Sequence, residues 1–213
     1  MQLNIGLIDY GMGNLHSVEQ AFKRLDQIIK IVKKPNDINE CDALILPGVG
    51  SFDPAMNNLK KTGLIPYIKR WVIEDKPLLG ICLGLQLLFE SSDEGIEKGL
   101  GLLKGHIGKL PKDQNKRIPH MGWSKLKKSK TCPLFIDTEN SCWMYFVHSY
   151  SALIYDKKDL AASTSFGNLN ITAVVWKDKL GACQFHPEKS GKSGRIMLLN
   201  WINWLKKNSK ASS

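Results

Sequence analysis

Leu78-Leu79-Gly80-Ile81-Cys82-Leu83-Gly84-Leu85-Gln86 is the stretch that decides the fold. Pro77–Ile81 is apolar and of strand length, and a helical pattern begins at Leu83 and runs to Phe89. Between them stands a cysteine framed by glycines, G-I-C-L-G, the cysteine form of the G-x-S-x-G nucleophile elbow. A residue in so tight a strand-to-helix turn is held in a strained conformation, with its side chain over the edge of a sheet. The flanking glycines let neighbouring backbone pass where a Cβ would collide. The helix that follows points its N-terminus at the sulfur, which favours the thiolate. It also places the Leu83 amide where a developing oxyanion would sit.

Strand and helix signals alternate on the N-terminal side of the elbow. Leu3–Asp9 is strand-like, Tyr10-Gly11-Met12-Gly13-Asn14 is a Gly-rich turn, and Ser17–Leu25 carries Val18, Ala21, Phe22 and Leu25 at helical spacing. Ile28–Val32 and Ala43–Leu46 are short strands, Pro47-Gly48-Val49-Gly50 is a loop, and Met56–Ile73 is mostly helical around Gly63 and Pro66. This alternation predicts an α/β fold with a central, mostly parallel sheet and helices on both faces. The second half holds strand-like Ile107–Leu110, Trp143–Val147, Ala161–Thr164, Ile171–Trp176 and Gly181–Phe185. The last four follow closely on one another, which predicts an additional antiparallel portion. Arg195–Lys207 is expected to close the chain as a helix burying Ile196, Leu199, Trp201, Ile202 and Leu205. No repeat or Pro/Ser linker interrupts the pattern, so residues 1–207 are expected as a single domain and 208–213 as a frayed tail.

The composition narrows the function classes. With 213 residues, 43% of them hydrophobic, the chain has enough apolar material for one well-buried core. Its longest apolar runs, Leu78–Cys82 and Met197–Leu199, fall far short of the roughly 20 residues a bilayer needs. Met1 leads directly into the first strand with no basic region before an apolar one, so no secretory signal is expected. Cys41, Cys82, Cys132, Cys142 and Cys183 are odd in number and form no C-x-x-C pair. A disulfide framework or zinc site is therefore not expected, and a reduced, cytoplasmic setting is favoured. The net charge of +10 comes from cations spread over many segments, with no interleaved aromatic platform. Solvated faces and an acidic protein partner fit that pattern better than a nucleic acid does.

A thiolate nucleophile needs a histidine to protonate its leaving group, and that histidine needs an acceptor on its other nitrogen. Gln184-Phe185-His186-Pro187-Glu188 follows a strand, where residues two apart project to the same side. Glu188 is thereby placed to accept from one imidazole nitrogen while the other faces Cys82, and Pro187 stiffens the link. His16, His106, His120 and His148 show no matching partner in the sequence. His16 and His106 are expected to be structural or exposed.

G-I-C-L-G-L-Q together with H-P-E resembles the class I (triad) glutamine amidotransferases, which share a flavodoxin-like fold. Four further segments narrow the resemblance: Asp9–Leu15, Pro47–Phe52, Pro119-His120-Met121-Gly122-Trp123 and Phe146-Val147-His148-Ser149-Tyr150. They are similar to the HisH-like glutaminase subunits of imidazole glycerol phosphate synthase in histidine biosynthesis, from Leu3 to about Lys207.

The resemblance implies that Cys82 is the nucleophile, His186 the base and Glu188 its orienter. It implies a second oxyanion amide at Val49 or Gly50, beside that of Leu83. Gln86 would hold the L-glutamine substrate, the Ser149 and Tyr150 amides would bind its α-carboxylate, and Glu94 would meet its ammonium group. For Glu94 an ordinary helix-end charge is the alternative. Tyr10, Asn14, Trp123 and Lys189 match positions that dock on a (β/α)₈ cyclase subunit (HisF-like) in a heterodimer and line the route of ammonia. For Trp123 a place in the core is the alternative, and for Lys189 exposure without a partner. The expected chemistry needs no metal and no organic cofactor.

One departure stands out. The family usually has asparagine after M-G-W, where this chain has Ser124, and Lys125–Lys130 is unusually basic. Three other readings compete. A related paralogue donates ammonia for bacterial surface-sugar amidation. Cysteine peptidases and chaperones of similar elbow folds put histidine after the nucleophile, where Leu83 stands here. A basic nucleic-acid-binding module would explain the charge but not the elbow.

Overall fold

The computed structural model describes residues 2–112, 117–136, 142–154 and 156–210. The first half runs β1 (Ile5–Ile8), α1 (Leu15–Lys23), β2 (Ile29–Val32), α2 (Pro35–Ile38), β3 (Ala43–Leu46), α3 (Phe52–Lys61), α4 (Ile65–Ile73), β4 (Leu78–Ile81) and α5 (Leu83–Leu87). The second half runs β5 (Ser91–Ser92), β6 (Gly105–Lys109), β7 (His120–Lys128), β8 (Trp143–His148), β9 (Tyr150–Ile154), β10 (Leu160–Phe166), β11 (Leu169–Lys177), β12 (Leu180–Cys183) and α6 (Gly191–Lys210).

Nine strands form one sheet in the order β2-β1-β3-β4-β12-β11-β10-β7-β8, and β5-β6-β9 form a smaller one. The five strands from β2 to β12 pair in parallel, while β12 to β8 pair antiparallel. The cause lies in the strand sequences. IGLI, ALIL and LLGI are buried at every position, as strands covered on both faces must be. Along them alternate residues feed two cores. Leu7, Ile45 and Ile81 pack with α1 and α6 through Phe22, Trp201 and Leu205. Ile8, Leu46 and Leu78 pack with α3 and α4 through Phe52, Leu59 and Trp71. β7, by contrast, alternates buried and exposed positions over part of its length and carries three lysines.

Several expectations are corrected. The mostly helical stretch expected over residues 56–73 begins earlier, at Phe52, and is two helices, because Gly63 takes φ +70 after α3 and Pro66 opens α4. The elbow helix is five residues, not seven. In α6 the buried face is Met197, Leu198, Trp201, Ile202 and Leu205, whereas Leu199 is exposed and Ile196 half-buried. α6 extends to Lys210, and residues 211–213 of the expected tail lie outside the described residues. Among the described residues no helix is long and apolar enough to cross a membrane.

Parallel register brings several strand ends to one edge. Leu46 pairs with Gly80, and Cys183 pairs with Ile81, so the loops after β3, β4 and β12 emerge side by side. The strand order also turns between β1 and β3. In open α/β sheets such a switch point, at the carboxyl ends of the strands, is where ligands bind.

Candidate active site

Cys82 sits at φ 54, ψ −110 between β4 and α5, a left-handed conformation that non-glycine residues rarely adopt. Its amide donates to the Cys183 carbonyl at 2.8 Å, and its own carbonyl accepts from the Leu85 amide at 3.0 Å, so both flanks of the turn are tied down. The glycine frame has a steric reason. A Cβ on Gly84 would stand 1.9 Å from the Leu46 carbonyl oxygen, because α5 starts directly against the end of β3. A Cβ on Gly48 would stand 2.5 Å from the Tyr10 hydroxyl and 2.8 Å from Leu83 Cβ. Tyr10 is itself buried, and its hydroxyl donates to the Pro47 carbonyl at 2.7 Å. Burial first, and the nearby Cys82 second, push its phenol far above the usual range.

His186 follows β12, the strand that pairs with β4 beside the elbow, and precedes the 3₁₀ turn Pro187–Lys189. His186 Nδ1 is 2.7 Å from Glu188 Oε1, and the imidazole also hydrogen-bonds Cys82. With Nδ1 donating to the carboxylate, Nε2 is the nitrogen left for the sulfur. Both side chains of the His186–Glu188 pair are almost fully buried. Burial works against a charged imidazole here, but the bonds to Cys82 and Glu188 outweigh it and raise His186 to about 10. The backbone is latched as well. Ser190 Oγ donates to the His186 carbonyl at 2.6 Å and accepts from the Tyr145 amide at 2.9 Å.

These groups face a cavity of about 320 Å³. Cys82, Leu83, His186, Val49, Gly50, Gln86, Glu94, Ser149 and Tyr150 all line it. Gln86 Nε2 donates to the Tyr150 carbonyl at 3.2 Å and to Gln184 Oε1 at 3.3 Å. Glu94 Oε2 accepts from the Phe52 amide at 2.8 Å, so it caps the first turn of α3 while it borders the cavity. The two readings of Glu94 are therefore compatible in space.

Two of the amides named for the oxyanion, those of Leu83 and Val49, are otherwise engaged. Leu83 N–H donates to the Gly48 carbonyl at 3.4 Å, and Val49 N–H donates to the Met12 carbonyl at 3.2 Å. The Gly48 carbonyl and the Val49 amide belong to one peptide, so a single peptide orientation occupies the Leu83 amide and turns the Val49 amide onto Met12.

The four residues named for a docking face separate. Trp123 is 53% exposed and meets Tyr145 edge-on at 6.0 Å, so the alternative of a core position is overturned. Lys189 is exposed, and Asn14 is exposed with its side chain capping α1 by accepting from Ser17 N–H. Tyr10 is 5% exposed and lies inside, against the loop after β3.

Histidines without a partner in the sequence have partners in space. His106 bonds Asp93 at 2.7 Å and Ser91 at 2.9 Å, and His16 is exposed. His148 lines the cavity and bonds His120 at 3.0 Å. The hydroxyls of Tyr10 and Ser190 were likewise not legible as site features. Only the short spacing of Ser190 from His186 offered a signal. Burial pushes the thiols of Cys41 and Cys132 up to about 11, and that of Cys183 further, so they stay protonated near neutral pH. Among the described residues no group of three or more His, Cys, Asp or Glu is placed to hold a metal ion.

A family model described as glutamine amidotransferase class-I matches residues 6–203. Subunit HisH of imidazole glycerol phosphate synthase from one strain of Prochlorococcus marinus is 69% identical over 210 residues, 99% of each chain. That of a second strain is 68% identical over 213 residues, the whole of both chains. The same subunit from a Synechococcus strain is 59% identical over 97% of each. Among solved structures, PurLQS from Thermotoga maritima is similar with a TM-score of 0.76 at 18% identity, over 96% of this chain and all of that one. The glutaminase domain of Trypanosoma brucei CTPS has a TM-score of 0.70 at 15% identity, over 97% and 94%. At such identities these two bear on the fold alone.

Proposed function

We propose, from the premise that this chain belongs to the class-I glutamine amidotransferases and within them to the HisH subunits, that it is the glutaminase of an imidazole glycerol phosphate synthase in histidine biosynthesis. The observation that carries the chemistry is one linked set of groups. Cys82 stands on a left-handed turn, bonded to a buried His186 that is bonded to Glu188, beside a cavity bordered by Gln86 and Tyr150.

The Cys82 thiolate attacks the side-chain carboxamide carbon of glutamine, and negative charge develops on its oxygen. The His186 imidazolium gives its proton to the departing nitrogen, the C–N bond breaks, and ammonia leaves behind a γ-glutamyl thioester. Water then attacks the thioester carbon while His186 takes its proton, releasing glutamate and restoring the thiolate. Glu188 holds the imidazole with Nδ1–H fixed toward itself. Gln86 and the Ser149–Tyr150 segment hold the substrate, and Glu94 offers its carboxylate to the ammonium group.

The oxyanion donors are the amides of Leu83 and of the Val49–Gly50 loop. In its present orientation the Gly48–Val49 peptide occupies the first and diverts the Val49 amide. A flip of that peptide would release Leu83 N–H and turn Val49 N–H toward the reacting carbonyl together. We assign that flip to the docked, loaded partner, a (β/α)₈ cyclase subunit bound one-to-one in the cytoplasm. Asn14, Trp123 and Lys189 lie at the contact, Tyr10 steadies the loop behind the ammonia route, and the +10 charge suits an acidic partner face.

The test is synthesis with glutamine as the sole nitrogen donor. The chain, mixed with a histidine-pathway cyclase and that cyclase's nucleotide substrate, should yield imidazole glycerol phosphate and one glutamate per turnover. Glutamate release without transfer to this cyclase would move the assignment to another synthase.

A further inference from the structure

Three polar side chains that the reaction leaves unused form a continuous line from the exposed strand pair to the cavity. His120 and His148 stand directly opposite each other in the β7–β8 ladder. Their rings meet through His120 Nδ1 and His148 Nε2 at 3.0 Å. Ser124, four residues along β7 from His120 and so on the same side of the strand, places its Oγ 2.8 Å from His120 Nε2. At the other end His148 Nδ1 lies 2.8 Å from the Tyr150 carbonyl. That carbonyl also accepts from Gln86 Nε2. Both imidazoles are buried, and His120 is held in plane by stacking on Phe146 at 4.8 Å.

With both rings neutral, the hydrogen-bond valences admit one direction of donation. A carbonyl only accepts, so His148 Nδ1 carries a proton. Burial, outweighing the bond to Tyr150, pushes His148 down to about 3, so its ring is neutral and Nε2 is an acceptor. His120 must then donate from Nδ1, its Nε2 accepts, and the Ser124 hydroxyl donates to it. The line reads Ser124 O–H to His120, His120 N–H to His148, His148 N–H to the Tyr150 carbonyl.

We propose that Ser124, His120 and His148 are positioning residues, a tautomer-locked rail that fixes the Tyr150 carbonyl and through it Gln86 for binding glutamine. The proposal rests on the glutaminase reading of the cavity. Met121 and Trp123 are exposed on the opposite side of β7, so one strand presents a surface outward and anchors the rail inward. Ser124 is the outermost member, and only half-buried, so it can be altered without opening the core. Its removal takes this bond from His120 Nε2 and loosens the His120 ring, and with it the His148 ring that bonds the Tyr150 carbonyl.

The experiment has a spectroscopic and a kinetic arm. In ¹⁵N-histidine spectra of the wild-type chain, both His120 and His148 should be neutral with the proton on Nδ1, and Ser124→Ala should shift the His120 Nε2 resonance, which loses its bond to the hydroxyl, while the proton stays on Nδ1. In the cyclase complex, Ser124→Ala should raise the glutamine KM about fivefold, the scale of one neutral hydrogen bond. It should leave kcat within about twofold, as expected for a group that acts on binding. Ser124→Asn, whose amide can donate to His120 Nε2, should restore KM. A proton on His148 Nε2, or an unchanged KM in Ser124→Ala, overturns the rail. If the wild-type complex releases no glutamate, the glutaminase reading fails, and the tautomers alone decide whether the rail exists.

Discussion

The Gly48 carbonyl accepts from the Leu83 amide at 3.4 Å, while the amide of the same peptide, on Val49, donates to Met12 at 3.2 Å. One peptide plane thus withholds two donors from the place where charge develops on the substrate oxygen. A 3.4 Å bond is long and weak, so little holds the plane in this orientation.

The first prediction is that the chain alone is nearly silent. A missing oxyanion donor costs about 3–4 kcal/mol, on the order of a thousandfold in rate. Glutamate release should rise by at least that factor when the cyclase and its nucleotide ligand are added, because two donors are withheld. Full activity of the isolated chain would show that the Gly48–Val49 peptide is no barrier.

The second concerns the dyad. His186 moves the proton, whereas Glu188 only fixes which nitrogen carries it, 2.7 Å away. In the complex, His186→Ala should therefore fall close to the Cys82→Ala background, and Glu188→Ala should retain more activity. A larger loss in Glu188→Ala than in His186→Ala would reverse these roles.

A third follows from the raised imidazole. His186 is lifted from its ordinary 6.5 to about 10 in the folded chain. A raised folded value means that the proton stabilises the fold fully below pH 6.5, and that this contribution is lost as pH climbs through about 10. Denaturant melts of wild type should thus lose stability across that window more steeply than melts of His186→Gln. Parallel curves would mean that the bonds to Cys82 and Glu188 do not hold the proton.

The parallel half of this fold was legible because its strands are continuous apolar runs and its breaks are glycines. IGLI, ALIL and LLGI allow little else than strands buried on both faces. β7 was not legible, because HMGWSKLKK shows neither a continuous apolar run nor a clean alternation, and its pairing to β8 and β10 is set by distant residues. The elbow and H-P-E were visible as local patterns, but the two-residue spacing becomes a contact across the 3₁₀ turn Pro187–Lys189 and not along a strand, which ends at Cys183. The links His148–His120, Tyr10–Pro47 and Gln86–Tyr150 join positions 28 to 64 residues apart, which no local spacing encodes.

The fourth prediction tests the elbow's packing apart from its chemistry. In Gly84→Ala the new Cβ would lie 1.9 Å from the Leu46 carbonyl oxygen, a backbone atom with no free space to move into. Overpacking of this kind costs about 3 kcal/mol or more. Gly63→Ala is a control where nothing lies within 4 Å but φ is +70, so its cost should be near 1 kcal/mol, from backbone strain alone. Equal melting temperatures for the two variants would contradict the close approach of α5 to β3.

The central claim is that Cys82 is the nucleophile of a glutaminase, and covalent trapping tests it most directly. The complex would be treated with a glutamine-mimicking diazo-ketone, digested, and read by mass spectrometry for the modified cysteine, with glutamate release followed in parallel. The label should fall on Cys82, at one per chain, with glutamate release lost in step, and Cys82→Ala should take up no label while keeping its fold. Label on Cys183 or Cys41 instead, or glutamate still released by Cys82→Ala, would contradict the assignment.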